Sequence, residues 1–255
     1  MIIVLNGPPG SGKDAAVPLL EESLKVIHFS TSESLKLAGI GALGLIEANY
    51  SPADFESVKD EPNELFNDLS PREYYVGVAE GLKAKFGHDF WTKTLIRKIK
   101  MTEKMMKGEK VVYLITGMGF PIEMACFEND KKLADRVILV RTKRPGKTFG
   151  KKPGYEDAYG DGTGIDSRNW LFSDTVKELE VDNVGTLQEY KINLLWHLNR
   201  VMDLRKYASD RNDKDIGFVK LKTKMPMSDP LTRFQKPYRI YLPGEVEKEI
   251  QANAA

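Results

Sequence analysis

An apolar run of strand length, Met1-Ile-Ile-Val-Leu-Asn6, passes directly into Gly7-Pro-Pro-Gly-Ser-Gly-Lys-Asp14. The octet has the spacing G-x-x-x-x-G-K of a phosphate-binding loop, with Asp14 where Ser or Thr is usual. Ala15 to Leu24 then carries apolar residues at helical spacing, so strand, loop and helix come in the order such a loop requires. Nothing else in the chain restricts the fold so tightly.

The spacing has a chemical reason. Gly7, Gly10 and Gly12 reach backbone angles closed to other residues, so successive N–H groups can turn inward as a nest for phosphate oxygens. Ser11 and Ala15 lie on the same turn and join the binding candidates. The following helix adds its positive N-terminal end, and Lys13 can reach the β- and γ-phosphates, which makes ATP the expected phosphoryl donor. Asp14 replaces a hydroxyl ligand of Mg²⁺ by a carboxylate, also a hard oxygen ligand, and predicts a metal-dependent site. The competing reading is a glycine-rich turn that binds nothing.

At 255 residues the chain can hold one large or two small domains. A net charge of +1 and a pI near 7.7 carry no signature of a nucleic-acid binder. The single cysteine, Cys126, excludes an intramolecular disulfide and suits a reducing compartment. The opening strand lacks the charged region and cleavage site of a signal peptide, and no apolar stretch approaches membrane-spanning length. The expectation is a cytoplasmic protein whose partners are small molecules, not nucleic acid or membrane, with a homodimer left open.

Further along, Val26–Phe29 is a second short apolar run, and Ser30-Thr-Ser-Glu33 has the spacing of a capping box. Residues 49–70 are polar, contain Pro52 and Pro62, and predict a mobile loop. Ser70-Pro-Arg-Glu73 predicts a helix start with Ser70 as N-cap and Glu73 closing a second capping box. Arg72, in that first turn, is placed to hold an anion or is simply solvated. A helix over 88–107 carries Phe90 and Trp91, either core anchors or a stacking surface for a base, and a lysine row that reads as a solvated face.

Val111–Ile115 is a continuous apolar run of the kind buried in a parallel sheet, and Arg136-Val-Ile-Leu-Val140 is the next strand. Thr116-Gly-Met-Gly119 would lie at the carboxyl edge, where ligands of doubly wound sheets bind, with Pro121 and Glu123 in the next helix's first turn. Residues 141–152 hold six basic residues and no acidic one, which suits a lid closing over phosphate or, alternatively, a solvated loop. Val181–Thr186 ends a last strand, and Thr186-Leu-Gln-Glu189 caps a helix running to about Arg205. Alternating strands and helices define an α/β chain with a mostly parallel sheet flanked by helices.

Taken together, these stretches resemble the P-loop nucleoside monophosphate kinases, most closely the deoxynucleoside monophosphate kinases of tailed bacteriophages. The resemblance rests on the loop ending Gly-Lys-Asp14, the Ser-Pro-Arg-Glu73 helix start with Asp-Phe-Trp91 downstream, Val-Ile-Leu-Val-Arg141, and Val-Asp-Asn-Val-Gly-Thr-Leu-Gln-Glu189. It covers roughly residues 1–205 and implies a helical acceptor-binding insertion and a lid on the parallel sheet. It implies a kinase domain over 1–206, with an acceptor-nucleotide region near 30–108 and a lid near 141–168, and leaves 207–255 as an extension of unassigned role. The implied partners are nucleotides, and the implied compartment for a phage protein is the host cytoplasm. Ser-Thr-Ser-Glu-Ser-Leu-Lys36 is similar to an acceptor-site stretch of adenylate-kinase-type enzymes, making Thr31 and Lys36 substrate candidates, although Lys for Arg loses a bidentate fork. Trp91 would border the base. Where the phage enzymes have Asp-x-Arg followed by Glu, this chain has Gly117-Met-Gly119, and only Glu123 matches.

The implied reaction moves the γ-phosphoryl group of ATP to a (deoxy)nucleoside 5′-monophosphate. Lys13 and the loop would hold ATP, Asp14 would hold Mg²⁺, Arg72 the acceptor phosphate, and Arg141 and Arg144 the transferred group. Two rival functions stay open: a kinase of another small molecule, with Glu33 as base toward a hydroxyl, and a non-catalytic nucleotide-binding protein using the 207–255 tail to dock.

Overall fold

The computed structural model describes residues 1–149 and 169–208. Five strands form one parallel sheet: β1 (Ile2–Asn6), β2 (Val26–Ser30), β3 (Val112–Thr116), β4 (Val137–Lys143) and β5 (Lys177–Asp182), in the spatial order β2-β3-β1-β4-β5. All five residues of β1 and all five of β3 are buried, which is why these strands read as unbroken apolar runs rather than as an alternation. β1 lies in register with both neighbours, Ile2 opposite Tyr113 on one side and Val137 on the other.

The strand pleat sends alternate side chains to two separate cores. Ile2 and Val4 face Leu95 and Ile99 of α4 (Phe90–Met105) and Met124 and Phe127 of α5 (Pro121–Glu128). Ile3 and Leu5 face Leu19 and Leu20 of α1 (Ala16–Glu21) and Tyr190 and Leu194 of α6 (Leu187–Asn199). The chain therefore leaves β1 toward one face and β3 toward the other. The carboxyl ends of these adjacent strands border a topological switch point, the place where open α/β sheets form a crevice.

Between β2 and α4 lie α2 (Thr31–Ala42) and α3 (Pro71–Phe86), with a third apolar cluster of their own: Ile40, Leu45, Phe55, Phe66 and Tyr75. The segment 49–70, expected as a mobile polar loop, contributes to this cluster. It makes two turns of 3-10 helix, Pro52–Phe55 and Glu64–Phe66, and buries one phenylalanine from each. Two isolated aromatics among polar residues give no period in sequence, so their burial is decided by the helices they pack on.

The capping boxes divide. At Ser70, Oγ accepts from the Glu73 N–H, and the Glu73 carboxylate accepts from the Ser70 N–H at 2.8 Å. Thr186 and Glu189 do the same. The box expected at Ser30 is absent: Ser30 makes no side-chain cap, its Oγ lies 2.9 Å from Ser32 Oγ, and Glu33 pairs with Lys98 of α4. A salt bridge to a neighbouring helix has taken the carboxylate that the box needed. Helix α6 ends at Asn199, short of Arg205, and a 3-10 turn over Leu204–Tyr207 follows. Lys25 N–H donates to Tyr207 O, and Ala208 pairs with Leu24, so the described chain ends against the start of β2.

No helix among the described residues is long and apolar enough to cross a membrane.

Candidate functional site

The glycine loop leaves the carboxyl end of β1, and three groups hold its shape. Gly10 and Gly12 have φ of +75° and +99°, the left-handed region that a side chain disfavours. A Cβ on Gly12 would lie 2.0 Å from Asn183 Nδ2, and one on Gly7 would lie 2.7 Å from Thr142 O, so the loop touches the ends of β4 and β5 directly. Asn183, just past β5, donates through Nδ2 to Ser11 O at 2.8 Å. Beneath Gly12 lies Tyr190 of α6, fully buried, its hydroxyl 3.1 Å from Thr142 Oγ1 and its pKa pushed up to about 12 by burial.

Asn6 ends β1 as a buried junction. Its Nδ2 donates to Met118 O and Asn169 O, each at 3.2 Å, and its Oδ1 accepts from Leu171 N–H at 3.0 Å. One amide thus joins the end of β1, the loop after β3, and the segment 169–171. Asn169 N–H also donates to Gly119 O. Neither Asn6 nor Asn183 was a candidate from sequence. The one available signal was a polar residue closing an otherwise apolar run, at Asn6 and again in Val181-Asp-Asn183.

Helix α1 is shorter than expected, six residues beginning at Ala16, with turns over 11–15. Lys13 and Asp14 therefore stand on the loop itself. The Lys13 side chain is 17% exposed, with its Nζ 3.1 Å from the outward-facing carboxylate of Asp14. Ser11 Oγ is buried with no hydrogen-bond partner. Among the described residues no cluster of three or more His, Cys, Asp or Glu side chains could hold a metal by itself. Asp14 is the carboxylate that the loop offers.

The cationic candidates are distributed differently from one another. Arg141 is almost fully buried and held from several sides. It donates to Glu178 at 2.6 Å and to Leu171 O at 3.1 Å, lies 3.4 Å from Glu180, and stacks on the Phe172 ring. The Arg141 and Lys143 cations hold the Glu180 carboxyl below the usual carboxylate range, Lys143 the more strongly. Arg144 is exposed in the turn that follows β4. In the same turn, closed by Lys147 N–H donating to Arg144 O at 3.0 Å, the Lys147 side chain lies over the glycine loop. A Cβ on Gly10 would meet Lys147 Cε at 3.2 Å and Nζ at 3.6 Å. Residues 150–168, the rest of the expected lid, lie outside the described residues, as does the tail beyond 208. Phe149 and Trp170, the aromatic residues nearest residues 150–168 on either side, meet edge to face at 5.2 Å.

The acceptor candidates lie on the α2–α4 insertion and on the loop after β3. Arg72 forms a bidentate pair with Asp60, Nε to Oδ1 at 2.5 Å and an NH2 donor to Oδ2 at 3.2 Å. Lys36 pairs with Glu56 at 2.9 Å. Thr31 starts α2 beside Gly117, where a Cβ would lie 2.7 Å from Thr31 Oγ1, so only glycine lets the β3 end approach β2 this closely. Trp91 is 9% exposed, edge-on to Phe90, and its indole N–H has no partner. Glu123 is buried and accepts from the Gly119 and Phe120 N–H groups at 2.8 and 3.0 Å, fixing the 117–120 loop.

No protein-family model matches this chain, and no curated protein matches it. Among solved structures, it is similar to an unliganded sugar kinase from Janibacter sp. HTCC2649, at 10% identity and a TM-score of 0.34, over 78% of this chain and 94% of that one. A superposition so loose carries nothing over to the present site.

Proposed function

We propose that this chain is a phosphotransferase that moves the γ-phosphoryl group of ATP to a (deoxy)nucleoside 5′-monophosphate. One observation carries the reading. A glycine loop of phosphate-binding spacing, with two residues at positive φ and a largely buried lysine, sits at the carboxyl end of the central strand beside a switch point.

The reaction needs placement and neutralised charge more than covalent help. A nucleotide 5′-phosphate has a second pKa of about 6 and is mostly dianionic at neutral pH, so no protein base is required. In this reading Lys13 and the loop amides hold the donor, and Arg144 faces the transferred group. Arg141 keeps β4 and β5 in place beneath them. A single exposed carboxylate suits Mg²⁺ that arrives on the nucleotide, since Mg²⁺ commonly takes one or two carboxylates and completes its shell with phosphate oxygens and water. Asp14 would hold it, and the ion would neutralise phosphate charge. Arg72 and Lys36 are the acceptor-phosphate ligands, and they must leave Asp60 and Glu56 to serve. Thr31 and Trp91 border the nucleoside, and Glu123 acts by shaping the loop above it.

The pairing of both acceptor cations with carboxylates also favours a second reading, a kinase of a hydroxyl compound that needs no phosphate-binding arginine. ADP production, measured with full-length protein against a panel of nucleoside monophosphates and of sugars and other alcohols, separates the two. The first reading expects stimulation by a monophosphate alone, lost by about 10²–10³-fold in Lys13→Ala, the range for removing one preorganised charge stabiliser. Stimulation by an alcohol alone would establish the second reading, and none by any acceptor would remove both.

A further inference from the structure

We infer that Lys147 is a second cation of the donor site, gripping the triphosphate at Gly10 of the glycine loop alongside Lys13. The inference rests on the proposal that this loop binds a triphosphate, and adds to it a residue that no motif marks.

Four observations lead there. The Lys147 stem crosses Gly10 within 3.2–3.6 Å of where a Cβ would stand, so its ammonium is already at the loop before any ligand arrives. The side chain is presented by a closed turn, with Gly146 at φ +72° and the Lys147 N–H bonded to Arg144 O. That turn is tied to the loop through β4, because Thr142 O packs on Gly7 and Asn183 bonds both Lys143 O and Ser11 O. Finally, three nearby cations are engaged, Lys13 by Asp14, Arg141 by Glu178 and Lys143 by Glu180, while Arg144 stands exposed in the same turn as Lys147. Lys147 has no acidic partner among the described residues, and an exposed ammonium held beside a glycine nest is a phosphate ligand in waiting.

The test compares equilibrium binding of MgATP, tripolyphosphate and adenosine to the full-length wild type, Lys147→Gln, Lys147→Arg, Lys143→Gln and Lys13→Ala. Loss of one charge-assisted contact predicts that Lys147→Gln weakens ATP and tripolyphosphate by about 10- to 100-fold while leaving adenosine unchanged. Lys147→Arg should stay within about three-fold of wild type, because the charge remains at the same place. Equal weakening in Lys143→Gln and Lys147→Gln would mean a general field effect and overturn the assignment. So would wild-type affinity in Lys147→Gln when Lys13→Ala has lost binding; that result leaves the donor site standing. A wild type that binds neither ATP nor tripolyphosphate would remove the donor site and Lys147's role together.

Discussion

Arg72 and Arg141 are both arginines next to helix or strand ends, and the structure gives them opposite surroundings. Arg141 is embedded, its guanidinium shared among two carboxylates, a carbonyl and a ring. Arg72 is paired with a carboxylate that is itself 56% exposed. An exposed pair of that kind is worth about 0–1 kcal/mol, little enough for a phosphate to displace Asp60. If Arg72 binds the acceptor, Asp60→Asn should lower the KM for the monophosphate severalfold, leave the KM for ATP alone, and shift the melting temperature little. Arg72→Ala should raise the monophosphate KM and spare ATP. Steady-state kinetics with each substrate varied in turn checks both, and a shift of the two KM values together would count against the role. Which arginine is embedded was not legible from sequence, because it depends on β5 placing Glu178 and Glu180 beside β4, a pairing across some forty residues.

At the scale of elements, local chemistry was readable where the partners were three residues apart. The boxes at Ser70 and Thr186 close as their spacing requires, and burial of β1 and β3 follows from their unbroken apolar content. The Ser30 box failed because Lys98, sixty-five residues away, competes for Glu33. Helix α6 carries a pH response of its own. His197 is partly buried and sits edge to face with Trp196 at 4.7 Å; burial, with Arg200 nearby, lowers its pKa. Since the folded chain holds that proton less tightly than the unfolded one, the associated stability is complete above the ordinary histidine value of about 6.5. It is lost as the pH falls from there toward the lowered folded value. Chemical denaturation between pH 7.5 and 5.5 should show this decline in the wild type and a flatter profile in His197→Gln.

Among the described residues the molecule is a sheet with two cores and an insertion with a third. Phe66 sits at the centre of that third cluster, fully buried, with ring centroids 4.8 Å from Phe55, 5.5 Å from Tyr74 and 5.7 Å from Tyr75. Phe66→Ala should cost about 3–5 kcal/mol locally, the usual range for emptying such a site. Because the sheet cores share none of these residues, hydrogen exchange should speed up across 31–86 while the strands stay protected; if the proposed function holds, monophosphate binding should fall while ATP binding survives. Uniform loss of protection over the whole chain would show that the insertion and the sheet unfold as one unit.

The α/β class, the parallel strands, two of the capping boxes and the glycine loop could be read directly from the chain, because each is written in neighbouring residues: a period, a cap spacing, a run of glycines. The tertiary structure alone decided the strand order, the burial of Phe55 and Phe66, the junctions at Asn6 and Asn183, and which cations remain available at the loop. Those outcomes depend on contacts between residues far apart in the chain, where a partner's identity leaves no mark on the local pattern until the sheet brings the two together.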